Sequence, residues 1–321
     1  MTTFSYHASH EQFAPSELLQ WVRRAEDAGF GGGFSSDHLQ PWGSAQGHSG
    51  FAWSWLGAAL QATRKLPFNL ITVPGGWRYQ PVVLAQAIAT LAQMYERRLP
   101  WVALGSGQAI SERAIGQGWP GKDERNARLL AGAQIIKRLL AGETVTRQGS
   151  VAALDARIWS RPRQIPRLVG AAVTEETAAW IGGWADGLLT AGHDPEKLAK
   201  VIAAFRGGGG VGKPIYLKVG LSWAAAPAEA LHQAHEQWRF NALGSDVSWE
   251  LARPQDFEQA TRFVRPEDMH ESVFVSHEPA AHIERLRTLA ELGFETIVLH
   301  NVGRNQAAFI DMFAERVLPR L

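Results

Sequence analysis

Short apolar runs alternate along the chain with longer stretches in which apolar residues recur at helical spacing. Runs near Thr3–His7, Gly33–Ser36, Phe68–Val73 and Trp101–Leu104 read as strands. Between them, Pro15–Ala28, Trp53–Thr63 and Pro81–Tyr95 carry helix periodicity, two of them opening on a first-turn proline. Asp123–Leu140 continues the pattern, followed by a hairpin-like excursion over Thr144–Trp159. Strands Arg167–Gly170, Gly187–Thr190, Ile215–Gly220 and Thr296–His300 then alternate with helices Thr174–Trp184, Pro195–Phe205, Pro227–Ala242, Pro279–Leu292 and Gln306–Val317. A further short strand is expected at Val273–Val275, and the Gly207–Gly210 run reads as a flexible connection.

Eight parallel-type strands with intervening helices predict a closed (β/α)8 barrel spanning residues 1–321 as one domain, with an open doubly wound sheet as the competitor. The polar, irregular stretch 244–271 reads as an insertion near the active site.

On such a barrel the unusual residues collect at the carboxyl ends of the strands, where parallel α/β enzymes keep their chemistry. Asp37, His38 and Trp42 follow the second strand, Thr72 and Val73 end the third, and Gly105, Ser106, Gly107 and Gln108 follow the fourth. Gly170, Ala171, Ala172, Val173 and Thr174 follow the fifth and open a helix, an arrangement suited to a phosphate. His193 follows the sixth strand and His300 closes the eighth. An imidazole beside an indole, small residues and a phosphate cradle together suit a flavin-type cofactor.

Composition narrows the alternatives. The chain has 321 residues, 45% hydrophobic and 20% charged, with a formal charge of +1, which favours neither nucleic acid nor an anionic membrane as partner. There is no cysteine, so disulfides, thiolate metal sites and a cysteine nucleophile are excluded. No secretory signal or long apolar span is visible, and a cytoplasmic protein acting on a small molecule is expected. The glycines after the fourth strand miss the dinucleotide fingerprint because position 110 is Ile. No GxSxG elbow occurs. His232 and His235 share a helix face without a third ligand, so no metal is expected. A barrel glycosidase would need two facing carboxylates, and only Asp37 stands at a strand end.

The runs Ser9-His-Glu-Gln-Phe-Ala-Pro15, Ser36-Asp-His38 with Pro41-Trp42, Gly47-His-Ser-Gly-Phe-Ala-Trp-Ser-Trp55, Gly105-Ser-Gly-Gln-Ala109 and Val273-Phe-Val-Ser with Ile297-Val-Leu-His300 occur in order over nearly the whole chain. In these the sequence resembles the luciferase-like flavin oxidoreductase superfamily, nearest the deazaflavin (coenzyme F420)-dependent glucose-6-phosphate dehydrogenases. Within that group it is most similar to a subgroup that has returned to ordinary flavin, FMN.

The resemblance implies a barrel fold, a homodimer and an FMN-dependent oxidoreductase of the luciferase-like monooxygenase type. His38 would be the acid/base, Trp42 would position the reacting centre, and Asp37 would lie near the flavin ring. Thr72-Val73 would form a bulge with a non-proline cis peptide behind the ring, and Gly105–Gln108 with Ser111 would contact the cofactor. Gly170–Thr174 would hold its phosphate.

The departures matter equally. Gln108 stands where the dehydrogenases have a Glu, so a proton-exchanging group is lost there, and Glu11 is the candidate to replace it. His193 stands where the sugar-phosphate enzymes grip phosphate with a Lys, which argues against glucose 6-phosphate. No Lys or Arg occurs in Thr190–Asp194 to meet a long anionic tail, which favours FMN over coenzyme F420. The alternatives are an F420-dependent dehydrogenase of another substrate and a flavin-binding relative with little turnover.

Overall fold

The computed structural model describes residues 2–321. Eight parallel strands close a barrel: β1 (Thr3–Ala8), β2 (Gly32–Ser36), β3 (Phe68–Thr72), β4 (Trp101–Leu104), β5 (Arg167–Ala171), β6 (Leu188–Ala191), β7 (Ile215–Ser222) and β8 (Thr296–Asn301). Each pairs with the next in sequence, and β8 pairs with β1 to complete the ring. This is the (β/α)8 architecture, and an open doubly wound sheet is excluded by the β8–β1 closure.

Alternation along the strands sets the two apolar layers. Inward-pointing Phe34, Trp101, Val169, Leu189, Tyr216 and Val298 fill the barrel, with the Trp101 and Tyr216 rings stacked 4.4 Å apart. Outward residues pack under helices such as Pro15–Asp27, Ala52–Ala62, Pro81–Met94 and Lys122–Leu140. A third apolar cluster joins Trp42, Trp238 and Phe240 to Phe257 and Met269 of the 244–271 stretch. That stretch is ordered into the short helices Ser245–Ser248, Pro254–Ala260 and Pro266–Glu271, and its residues Ser245, Ser248, Trp249 and Phe257 face the barrel mouth.

Two expectations are corrected. All peptide bonds among the described residues are trans, including Thr72–Val73. The ladder there runs regularly through Thr72↔Leu104, and the Gly105 amide donates to the Thr72 carbonyl at 2.9 Å. Nothing in that pairing offsets the roughly 3–4 kcal/mol that a non-proline cis bond costs.

The glycine run is likewise not a flexible linker. Residues Arg206–Gly210 form a wide helical turn against helix Glu175–Gly182. A Cβ at Gly208 would lie 1.9 Å from the Ala179 carbonyl oxygen, so glycine is required for backbones to approach this closely.

Candidate active site

At the carboxyl end of the barrel lies a cavity of about 490 Å³ reached from the mouth. Its central group is His38, carried on the loop that leaves β2. The ring Nδ1 is hydrogen-bonded to Glu11 Oε1, and Ser9 Oγ donates to the other carboxylate oxygen at 2.9 Å. Burial is the largest influence on Glu11 and would raise its pKa. The His38 hydrogen bond and charge, with Lys218 beyond, overcome this and hold the carboxyl well below the usual range. Glu11 is therefore a fixed carboxylate. It directs the Nδ1 proton of His38 toward itself and leaves Nε2 with a free lone pair. That commitment removes Glu11 as a replacement acid for the missing Glu at position 108.

Trp42 stands edge-to-face with His38, ring centroids 5.1 Å apart, and stacks on Phe240 at 5.7 Å. Phe240 in turn meets Trp238 at 5.1 Å, giving a continuous aromatic wall.

Asp37 is only 3% exposed and lies in a buried polar network. Thr72 Oγ1 donates to its Oδ2 at 2.8 Å, and Tyr79 OH and Arg78 Nη1 each reach Oδ1 at 3.0 Å. Arg78 also donates to the Asp37 carbonyl at 2.6 Å and to Glu112 Oε1 at 3.0 Å. The network thus clamps the backbone immediately before His38. Ser111 adds to this, accepting the Leu39 amide at 3.1 Å.

A further part of the wall comes from the ends of β3, β4 and β5. Thr72, Val73, Gly105, Ser106, Gly107 and Gln108 line it, continued by Ala171, Ala172 and Val173. Gly107 has φ +92°, and a Cβ there would meet Glu112, Trp119 and Val73 at 2.9–3.3 Å. Two buried oxygens along this wall, Gln108 Oε1 and Glu112 Oε2, have no hydrogen-bond partner. Burial pushes the Glu112 carboxyl up, against the pull of Arg78.

Gly170 and Thr174 do not line the cavity. A Cβ at Gly170 would strike Ile181 at 2.5 Å, so that glycine serves helix packing. Thr174 caps helix Glu175–Gly182, accepting the Thr177 amide, and it is Thr177 that reaches the cavity. His193 also lies outside the lining, with Nε2 on the Glu271 carbonyl at 3.1 Å and burial lowering its pKa. His235 Nε2 bonds the Val264 carbonyl, and no group of metal-ligating side chains forms among the described residues.

Sequence reasoning missed several lining groups. Lys122 and Arg125 enter from the first turns of helix Lys122–Leu140 rather than from β5 or β6. Arg125 pairs with Glu250 at 3.0 Å and lies over the Trp119 ring, yet its buried Nε has no partner. Lys218 was detectable as a lone charge within the apolar run Ile215–Gly220. Arg78 carries no comparable signal.

A closed (β/α)8 barrel with an imidazole–carboxylate pair facing its carboxyl-end cavity defines an enzyme site, as in other barrels of this class. The family comparison is more specific: residues 1–296 match the model described as luciferase-like monooxygenase. The chain belongs to this family and is an oxidoreductase. It is similar over its whole length to curated F420-dependent glucose-6-phosphate dehydrogenases. That of Beutenbergia cavernae is 34% identical, covering 100% of this chain and 98% of the relative. That of Microbacterium testaceum is 35% identical, covering 99% and 97%. Among solved structures, an F420-dependent secondary alcohol dehydrogenase, in complex with an F420–acetone adduct, superposes with TM-score 0.92 at 27% identity. It covers 99% of this chain and 98% of that one.

Proposed function

We propose that the protein is a deazaflavin-dependent dehydrogenase that oxidises a non-phosphorylated hydroxyl substrate, with His38 as the base. The observation that carries this is the His38–Glu11 pair. Its free Nε2 faces a cavity that is also lined by the buried, unpartnered oxygens of Gln108 and Glu112. Unpaired buried acceptors cost about 1–3 kcal/mol each, so they mark where a ligand's donors belong.

The residues present suit a flavin-type ring with an anionic tail. Gly105 and Gly107, which carry no side chains, line the cavity beside Val73 and Ser106. Arg125 Nε is buried without a partner, and the Lys122 ammonium, paired with Glu176 at 2.9 Å, also lines the cavity. These cations supply what Thr190–Asp194 lacks. Together with the full-length relatives named above, they favour coenzyme F420 over the FMN expected from sequence.

When bound, such a cofactor supplies a two-electron hydride acceptor. The protein's part is to orient the substrate and manage its proton. Trp42 and Phe240 hold the carbinol carbon's apolar neighbours, His38 Nε2 accepts the hydroxyl proton, and the Glu11 carboxylate stabilises the resulting imidazolium. His193, which stands where the sugar-phosphate enzymes would grip phosphate with a Lys, lies outside the cavity, which argues against glucose 6-phosphate as substrate.

The test is cofactor binding. Protein purified from a host lacking the deazaflavin is titrated separately with coenzyme F420 and with FMN, and any chromophore it carries is identified by mass spectrometry. The reading requires saturable F420 binding tighter than FMN. Stoichiometric FMN with no binding of F420 refutes it.

A further inference from the structure

The proposed dehydrogenase function leaves one cation of the cavity unexplained. Lys218 projects from β7 two residues beyond Tyr216, the residue stacked on Trp101 inside the barrel. It is partly buried and lines the cavity. No described residue accepts a hydrogen bond from its Nζ, and no carboxylate lies within ion-pair distance. Its nearest ring, Trp238, has its centroid 5.4 Å away. Glu11 acts on it only through space. Burial pulls the ammonium's pKa down and Glu11 offsets part of that. An ammonium taken from water without a hydrogen-bonded counter-charge is costly, and a site retains one where a ligand provides the missing anion.

The surroundings specify what kind of anion. From His38 to Lys218 the cavity is walled by Trp42, Phe240 and Trp238 in succession, so the part of a ligand between the two groups is apolar. Beside Lys218, His300 is 1% exposed and stands edge-to-face with Trp238 at 4.5 Å. The Gln12 amide donates to the Val302 carbonyl at 2.7 Å, which leaves Gln12 Oε1 as acceptor for His300 Nε2–H at 3.2 Å. Burial and the Lys218 charge keep His300 neutral, so it adds no second cation. A single ammonium flanked by aromatic rings fits a monoanion such as a carboxylate and is poorly matched to a phosphate dianion.

We propose that Lys218 is a specificity-determining residue that binds the carboxylate of the substrate, and that the substrate is a hydroxy acid with an apolar body. In the reaction the carbinol C–H bond breaks, two electrons leave as hydride to the deazaflavin-class cofactor, and the hydroxyl proton passes to His38. The product is the corresponding oxo acid, and the carboxylate remains on Lys218 throughout. This inference rests on the proposed dehydrogenase reading for the redox step alone, because carboxylate recognition requires no cofactor.

The test uses the full chain without added cofactor. Tryptophan fluorescence, reported by Trp238 beside Lys218, is titrated with pentanoate and with its neutral isostere pentanamide, in the wild type and in Lys218→Met. The expected result is at least tenfold tighter binding of pentanoate than of pentanamide. In Lys218→Met that preference disappears while pentanamide affinity is unchanged. Lys218→Gln serves in its place if the methionine variant does not fold. Equal affinity for the two ligands in the wild type, or an unchanged preference in the variant, overturns the proposal. A parallel F420 titration separates the two readings: F420 binding without carboxylate preference defeats the subsite and leaves the dehydrogenase standing. Loss of F420 affinity in the variant, with pentanoate binding intact, assigns the ammonium to the cofactor and also overturns it.

Discussion

Replacing Arg78 by Met tests the clamp that fixes the Asp37–His38 loop. Its guanidinium is 7% exposed and bridges Asp37 and Glu112, both 1% exposed at the side chain. Methionine keeps much of the volume but leaves two buried carboxylates without their counter-charge. Breaking a buried ion pair by removing one partner costs about 3–5 kcal/mol. With an unfolding entropy of about 2.1 cal/mol/K per residue, the chain loses roughly 0.7 kcal/mol of stability per degree near Tm, so Tm should fall by about 4–7 °C. The pH dependence has a definite sign. Glu112 is already raised by burial, and Arg78 is the group that pulls it down. Its proton-linked stability is present below the ordinary value of 4.5 and is lost as pH rises through the folded value. Without Arg78 the deficit should therefore be largest at neutral pH and shrink near pH 4, where Glu112 takes up a proton. Calorimetry of wild type and variant at pH 7.5 and near pH 4 measures this, and Arg78→Met/Glu112→Gln should recover part of the loss. A drop below about 1 °C at pH 7.5, or a deficit that grows on acidification, would refute the clamp as described.

Gly107→Val should weaken cofactor binding at least tenfold in equilibrium titration while leaving the fold intact, since the new side chain enters the space held by Glu112 and Val73 at a φ of +92°. Gly208→Ala should cost about 1–3 kcal/mol in denaturant unfolding, because its Cβ meets the Ala179 carbonyl. For Glu11, whose carboxyl is held low, the stabilising contribution is present above the ordinary value of 4.5 and is lost as pH falls below it. Glu11→Gln should therefore flatten the acid side of the stability profile between pH 5 and pH 3, as followed by near-UV circular dichroism. A profile parallel to the wild type would count against an ionised Glu11.

The barrel was legible because strand alternation and helix periodicity agree along the chain, with proline opening many of the helices at the position where its missing N–H costs nothing. His38, Trp42 and the Gly105–Gln108 turn could be placed because residues at strand ends converge in any closed parallel barrel. The groups that escaped are those whose role depends on distant partners. Arg78 lies in the loop after β3 and gains its meaning only where Asp37 and Glu112 meet. Thr174 has the composition of a phosphate turn, but its hydroxyl is taken by its own helix cap. Gly207–Gly210 looks like a linker until the backbone of helix Glu175–Gly182 is set against it. Lys218 was visible as a charge in an apolar strand, although which way it points follows only from closure of the sheet.

The central claim is that His38 takes the proton while hydride leaves the substrate. Its most direct measurement is anaerobic single-turnover reduction of bound coenzyme F420 by a panel of secondary alcohols and hydroxy acids, each with and without deuterium at the carbinol carbon. The comparison is between wild type and His38→Ala. The account predicts reduction by the wild type with a primary isotope effect, and a loss of about 10²–10⁴-fold in the variant with F420 affinity retained. Reduction at an undiminished rate in His38→Ala, or F420 binding without reduction by any member of the panel, would contradict it.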